Sequence, residues 1–296
     1  MRTPSYISLL SGVALLFLVA ACDTTGANET DLSASDDVAQ SLVSLVGEDT
    51  GGLLEQAADV FELASAGDIA AQETMTAGKA DASVSSSERT YDEATGSWTI
   101  TLTREIGNPE GPRYLSVHRQ YLVQFQNAAG LPQKFFVTQG DTARSIDFTI
   151  VEAGGTLISP HLTAERTNIS GHWLATGVHT DEVTLNGTYS RSGGHTITTD
   201  EAVRTLDYTL ALDVFDLVGP KGSRRDLSQK VSGTLTGTYE AVATFERGDA
   251  YHEREIQRNV VVVFDHGTAT ITVNGVQYEG DLQSGDPRFL GPPDRR

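Results

Sequence analysis

From Trp98 to Tyr278 the apolar residues of this chain recur at every second position, and that period constrains its fold more than any other feature. Trp98, Ile100 and Leu102 alternate with Thr99, Thr101 and Thr103. Leu115, Val117, Tyr121, Val123 and Phe125 share one face of a longer run, and Arg119 interrupts the row. Ile146, Phe148 and Ile150 follow, then Val183, Leu185 and Tyr189, then Leu206, Tyr208, Leu210, Leu212 and Val214. The last long row holds Val231, Leu235, Tyr239, Ala241, Ala243 and Phe245, with Gly233 and Gly237 among them. A period of two is a strand with one buried face. Strands adjacent in sequence and joined by turns pair antiparallel. Asn274-Gly275, between Ile271-Thr-Val273 and Val276-Gln-Tyr278, is the strongest hairpin signal.

The expected fold class is mainly β, an antiparallel meander of about ten to twelve strands. A sheet that large forms a curved, barrel-like surface or folds into a two-layer β domain. Glycines inside a core-facing row permit sharp coiling and favour the curved, barrel-like form. The pentapeptide Leu185-Asn-Gly-Thr-Tyr189 returns as Leu235-Thr-Gly-Thr-Tyr239, either a trace of duplicated hairpins or a demand shared by two strands. Ser192-Gly-Gly194 reads as a hairpin loop.

A short N-terminal helix pair is expected before the strands. Val38, Leu42, Leu45 and Val46 keep helical spacing behind Ser35 or Asp36 as a cap. Leu54, Ala57, Ala58, Phe61, Leu63 and Ala64 do the same up to Gly67, and Gly47 to Gly52 supplies the turn between them. A hairpin of this size cannot bury enough to stand alone, so docking on the β domain is the expectation. The chain then divides into residues 1–21, a tether at 22–35, a helical hairpin at 36–67, a linker at 68–90, the β domain at 91–282 and an exposed tail at 283–296.

The first segment states an address. A basic Arg2 precedes an apolar run from about Tyr6 to Ala21, which describes a secretory signal peptide. The run ends Leu18-Val19-Ala20-Ala21-Cys22, and this resembles the lipobox of bacterial lipoproteins. The resemblance implies cleavage between Ala21 and Cys22 and lipid attachment at Cys22. That would place the mature chain at the cell envelope, with the membrane as a partner through the acylated cysteine. In enteric bacteria an aspartate at the position of Asp23 resembles the signal for inner-membrane retention; inner and outer membrane both stay open. Cys22 is the single cysteine, so no intramolecular disulfide can form and no thiolate remains for catalysis or metal.

Charge narrows the partners further. Formal net charge is −19, and loss of residues 1–21 with their one arginine makes it −20. A polyanion repels nucleic acid, so no nucleic-acid partner is expected. The seven histidines, among them His161, His179 and His195, lack the spacing of a helical zinc site. His179-Thr-Asp181-Glu182 reads as a turn. No Gly-x-Ser-x-Gly and no phosphate-binding glycine loop occurs, so neither a catalytic residue nor a cofactor nor a metal is assigned.

One stretch departs from the acidic background. Gly219 to Lys230 gathers Lys221, Arg224, Arg225 and Lys230 in a single loop, a candidate site for an anion or an acidic partner. These features lead to an expected lipid-anchored envelope protein with a non-enzymatic binding, scaffolding or assembly role and an envelope protein partner. A second reading is a carrier of an apolar small molecule inside the curved sheet, which resembles periplasmic lipid-carrying proteins in outline. A third is an envelope hydrolase with a carboxylate site. Cys22→Ser should move the protein from the membrane fraction to the soluble fraction; a variant that still sediments with membranes refutes lipid attachment.

Overall fold

The computed structural model describes residues 29–65, 82–198, 202–223 and 226–285. Two helices, α1 (Glu29–Val46) and α2 (Leu53–Leu63), precede the strands. In chain order the strands are β1 (Ala82–Asp92), β2 (Ser97–Gly107), β3 (Tyr114–Gln126), β4 (Pro132–Gln133), β5 (Val137–Thr138), β6 (Asp141–Thr142) and β7 (Ser145–Ile158). They continue with β8 (Leu162–Thr176), β9 (Glu182–Thr198), β10 (Val203–Pro220), β11 (Ser232–Arg247), β12 (Ala250–Asp265), β13 (Thr268–Val273) and β14 (Val276–Glu279). Twelve of them form one antiparallel sheet in the order β1-β2-β3-β7-β8-β9-β10-β11-β12-β13-β14, with β4 beside β3. The sheet is not closed. Of the two forms expected, the structure is the curved one, a single sheet whose second layer is helical.

The rows read from the sequence are the rows that are buried. Ile100, Tyr121, Val123, Phe125, Ile146, Phe148, Leu185, Leu210, Leu235 and Ile271 are all removed from solvent. Aromatic rings cross the inner face from strand to strand. Tyr121 lies 4.5 Å from Phe148, Phe148 stacks on Trp173 at 5.8 Å, and Trp173 stacks on Tyr189 at 6.1 Å. Asn274 and Gly275 turn β13 into β14 with φ of 47° and 86°, the paired positive dihedrals of a two-residue hairpin.

The sheet curves because both helices must be swallowed. Apart from exposed Asp36 and half-buried Gln40 and Glu62, the residues of α1 from Ala34 on and of α2 are buried. Strands from opposite ends of the sheet touch them: Arg104 of β2 meets Glu55, and Tyr278 of β14 meets Asp36. A flat sheet would cover one stripe of a helix and leave the other wet. Here the concave face holds the helix pair, and the pair and the sheet share one continuous hydrophobic core.

Helix and strand ends differ from the sequence expectation. α1 starts at Glu29, inside the stretch read as tether, and β1 starts at Ala82, inside the stretch read as linker. Neither stretch has an apolar period, so burial patterning could not mark those starts. Ser192-Gly-Gly194 is not a loop; β9 runs straight through it. Gly193 is needed there because β8 passes too close for a side chain. A Cβ on Gly193 would stand 2.0 Å from the Glu165 carbonyl oxygen.

The loop between β10 and β11 ties the helices down. The Gly222 N–H donates to the Phe61 carbonyl at 2.8 Å, and the Glu48 carboxylate accepts from the Leu227 and Ser228 N–H groups at 2.7 and 3.3 Å. Phe61 is fully buried, and its ring lies so close to Gly219 that a Cβ there would sit 2.7 Å away. Phe61→Ala should cost about 3–5 kcal/mol. The check is a urea titration, in which the midpoint should fall with the slope unchanged.

Candidate functional site

The most chemically loaded region lies under the helices, where polar side chains of the sheet meet polar side chains of α1 and α2. At one end Arg119 of β3 donates to Asp59 at 2.9 Å and to Glu55 at 2.8 Å, and Arg104 donates to the other oxygen of Glu55. The Tyr121 hydroxyl donates to Asp59 at 2.7 Å. Burial and the Asp59 carboxylate hold that phenol well above its ordinary value, while the neighbouring carboxylates and phenol keep Arg119 firmly charged despite burial.

At the other end Asp37 receives Arg204 at 2.8 Å and Arg254 at 2.5 Å. Desolvation pushes its carboxyl above the usual range, and the two guanidiniums pull it back only in part. Tyr278 donates to Asp36 at 2.8 Å.

Between these ends the sheet supplies cations without carboxylates. Neither Arg166 of β8 nor Arg191 of β9 makes an ion pair among the described residues. Arg191 donates to the Leu45 carbonyl at 3.1 Å and to the Tyr208 hydroxyl at 3.1 Å. Arg166 donates to the Thr50 carbonyl. α1 has no basic residue in its own last turn, so the Arg191 guanidinium caps its negative end, while Arg166 bonds the turn that leads to α2. The central histidine, His195, is also buried, and Ser41 of α1 lies 3.1 Å from its Nδ1. Burial first, then Arg191 and Arg166, hold its proton affinity well below the usual value of 6.5. Burial also brings the Arg166 guanidinium down to about 9, with Arg191 adding to the effect.

The echo Leu-x-Gly-x-Tyr serves one mechanical task twice. Tyr189 accepts from Gln56 at 3.3 Å and Tyr239 donates to Ser41 at 3.0 Å, so each tyrosine brings its hydroxyl to a helix.

The cationic loop singled out in the sequence is described in part; Arg224 and Arg225 lie outside the described residues, as do Ala21 and Cys22. Lys221 stands over the Phe136 ring at 4.8 Å, and Lys230 donates to Ser223 at 3.3 Å. The structure therefore uses both lysines locally. His118, His161, His172, His179, His252 and His266 occupy exposed positions. Among the described residues no group of three or more His, Cys, Asp or Glu side chains is placed to hold a metal ion. His179 to Glu182 is a turn closed by Thr180, whose hydroxyl donates to the Gly177 carbonyl at 2.7 Å.

Two of the clefts bear on a binding role. One, of about 500 Å³, opens beside the inter-helix turn, with Ile106, Leu115, Leu157 and Leu162 as walls and Arg113 and His161 also lining it. The other, of about 850 Å³, is an open groove on the outer face beside Glu165, Asp207, Glu240 and Glu255. Comparison with protein-family models, with curated proteins and with solved structures gives no match.

The sequence reading missed the seam. Arg119 interrupting an apolar row was its one visible sign; Arg166, Arg191 and His195 fall where β8 and β9 had no unbroken period. Arg119→Met should cost about 3–5 kcal/mol, because it strands Asp59 and part of Glu55 as buried charge. Adding Asp59→Asn to that variant should recover part of the loss. Equal stability of wild type and Arg119→Met in urea would show that the ion pairs contribute nothing.

Proposed function

We propose that the chain is a lipid-anchored, non-enzymatic protein of the cell envelope that binds or scaffolds a protein partner through its outer surface. The observation that carries this reading is the filled concave face. The helix pair occupies the place where a carrier would keep its ligand, and the ionisable groups beneath it are engaged in holding the helices. The outer face, by contrast, leaves Leu122, Leu174, Phe215, Val242 and Val263 exposed at 40–50%. Phe215 and Val263 stand in one cross-strand row, each opposite Thr234. Exposed apolar side chains on a strongly acidic surface are what a protein partner would cover. The address rests on the resemblance of residues 18–22 to a lipobox.

A carrier is the second reading, and the 500 Å³ cleft favours it. Its volume is that of a small-molecule site, its walls are mostly apolar, and Arg113 and His161 could meet a polar head group. A carboxylate hydrolase has less support. Glycoside hydrolysis needs one carboxyl kept protonated by its surroundings, whereas Glu165, Asp207, Glu240 and Glu255 all stand on the solvent side of the sheet.

Native mass spectrometry of the mature chain, made in a bacterial periplasm, separates the two readings. The expected mass is that of the acylated polypeptide, together with a cross-linked envelope protein in intact cells. An additional retained apolar molecule, lost when Leu157 is changed to Arg, would replace the scaffold reading with the carrier.

A further inference from the structure

Strand β10 changes phase once, and the change exposes an aromatic ring. Val214 and Leu217 are both buried, so the two residues between them, Phe215 and Asp216, face outward together. The pairing shows the same extra residue from both sides. β10 shifts on β9 between Val214 and Leu217, and on β11 between Phe215 and Val218. This is a β-bulge, a device that re-aims side chains. Three features hold it in place. Asp216 takes the left-handed conformation at φ 46°, uncommon for residues other than glycine. The Asn186 side chain clips it, accepting from the Asp216 N–H at 2.9 Å and donating to the Asp216 carboxylate at 3.1 Å. Opposite, Gly233 lets the strands close up, since a Cβ there would stand 2.6 Å from the Asp216 carbonyl oxygen.

A bulge that only reset the phase of β10 could carry any polar residue at its crest. This one carries phenylalanine, 50% exposed. Phe215 lies at the centre of one cross-strand row on the outer face. From β7 to β12 the row is Asp147, Leu174, Asn186, Phe215, Thr234 and Val263. Its three apolar members come from alternate strands, about 10 Å apart. Carboxylates frame them: Asp216 beside the ring, Asp213 two residues back on the same strand, and Asp147 at the end of the row, 3.0 Å from Nε2 of His172. Neither this row nor its neighbour, which runs from Leu122 through Thr188 and Asp213 to Val261, contains a lysine or an arginine. Arg166, Arg191, Arg204 and Arg254 of the same strands reach inward to the helices and the turn between them.

We propose that the row of Leu174, Phe215 and Val263 is the docking surface for a basic protein segment, one whose aliphatic or aromatic side chain packs on Phe215 between lysines or arginines. The inference rests on the reading of this protein as a scaffold whose partner covers its outer face. The apolar row supplies the buried centre of the interface and the carboxylates its charged rim. Charge selects the partner. A second copy of this chain would set carboxylates against carboxylates, and an anionic lipid surface is repelled in the same way.

The test places the photo-reactive residue benzoylphenylalanine at Thr234, between Phe215 and Val263, in the full chain made by the cells that produce it. The same group at Tyr251, exposed on β12 far from the row, is the control. Irradiation should give a protein adduct from Thr234 that Tyr251 does not give. Mass spectrometry should find the attached peptide to hold an apolar residue flanked by lysine or arginine. With the purified pair, Phe215→Ser should weaken binding at least about tenfold. Asp213→Lys should slow association and flatten its dependence on salt. Both residues are exposed, so neither change should move Tm. An adduct that persists unchanged in Phe215→Ser, an acidic or lipid adduct, or one of twice the protein's own mass overturns the proposal. Protein adducts from Tyr251 alone would remove this surface and leave the scaffold reading standing. No protein adduct from either position refutes both.

Discussion

A sheet of twelve antiparallel strands with one apolar face has to hide that face, and this molecule hides it under its own N-terminal helices. Nearly every other feature follows from that requirement. The sheet must curl until strands as far apart as β2 and β14 touch the same helix pair. The pair, too short to persist alone, becomes helical because it is packed on all sides rather than along one stripe. The loop between β10 and β11 cannot wander either, since its backbone N–H groups bond to Phe61 and Glu48.

Hydrophobic burial of this kind is non-directional, and it would leave the helices free to slide or turn within the trough. The polar seam removes that freedom. Asp59, Glu55 and Asp37 can each reach their arginines in one placement, and the Arg191 and Arg166 guanidiniums reach the Leu45 and Thr50 carbonyls only with α1 fully seated. Buried ion pairs add little net stability over apolar substitutes of equal volume. Their use here is directional, because a misplaced helix would leave charges buried without partners.

Arrangement of charge along the seam is uneven. Both ends pair carboxylate with guanidinium, whereas the centre relies on carbonyl oxygens and the negative end of α1, which carries about half an elementary charge. Two guanidiniums exceed that. The excess falls beside Gly193 of β9, near the place where the pairing of β7 with β8 is interrupted. The outer face of the same strands is acidic and exposed, so the two sides of one sheet differ in sign as well as in polarity.

The period of two was legible in most of the strands, though not in β8 or β12, and with it the antiparallel meander, the inward rows and the Asn274-Gly275 hairpin. Those are local properties: alternation assigns each side chain to a face, and the turn dihedrals demand asparagine and glycine. The helix pair was legible from its own spacing, although Glu29 and Ala82 as starting points were not, because polar segments carry no period. The expectation of lipid attachment at Cys22 rests on the sequence alone, since residues 1–28 lie outside the described structure. What only the tertiary structure decided is which polar residues face inward together. Asp59 and Arg119 are 60 positions apart and Ser41 and His195 are 154 apart; no spacing along the chain relates them, and each would read as an ordinary surface residue beside its neighbours. Curvature brings them to one place, and burial there turns ordinary side chains into charges that must be answered.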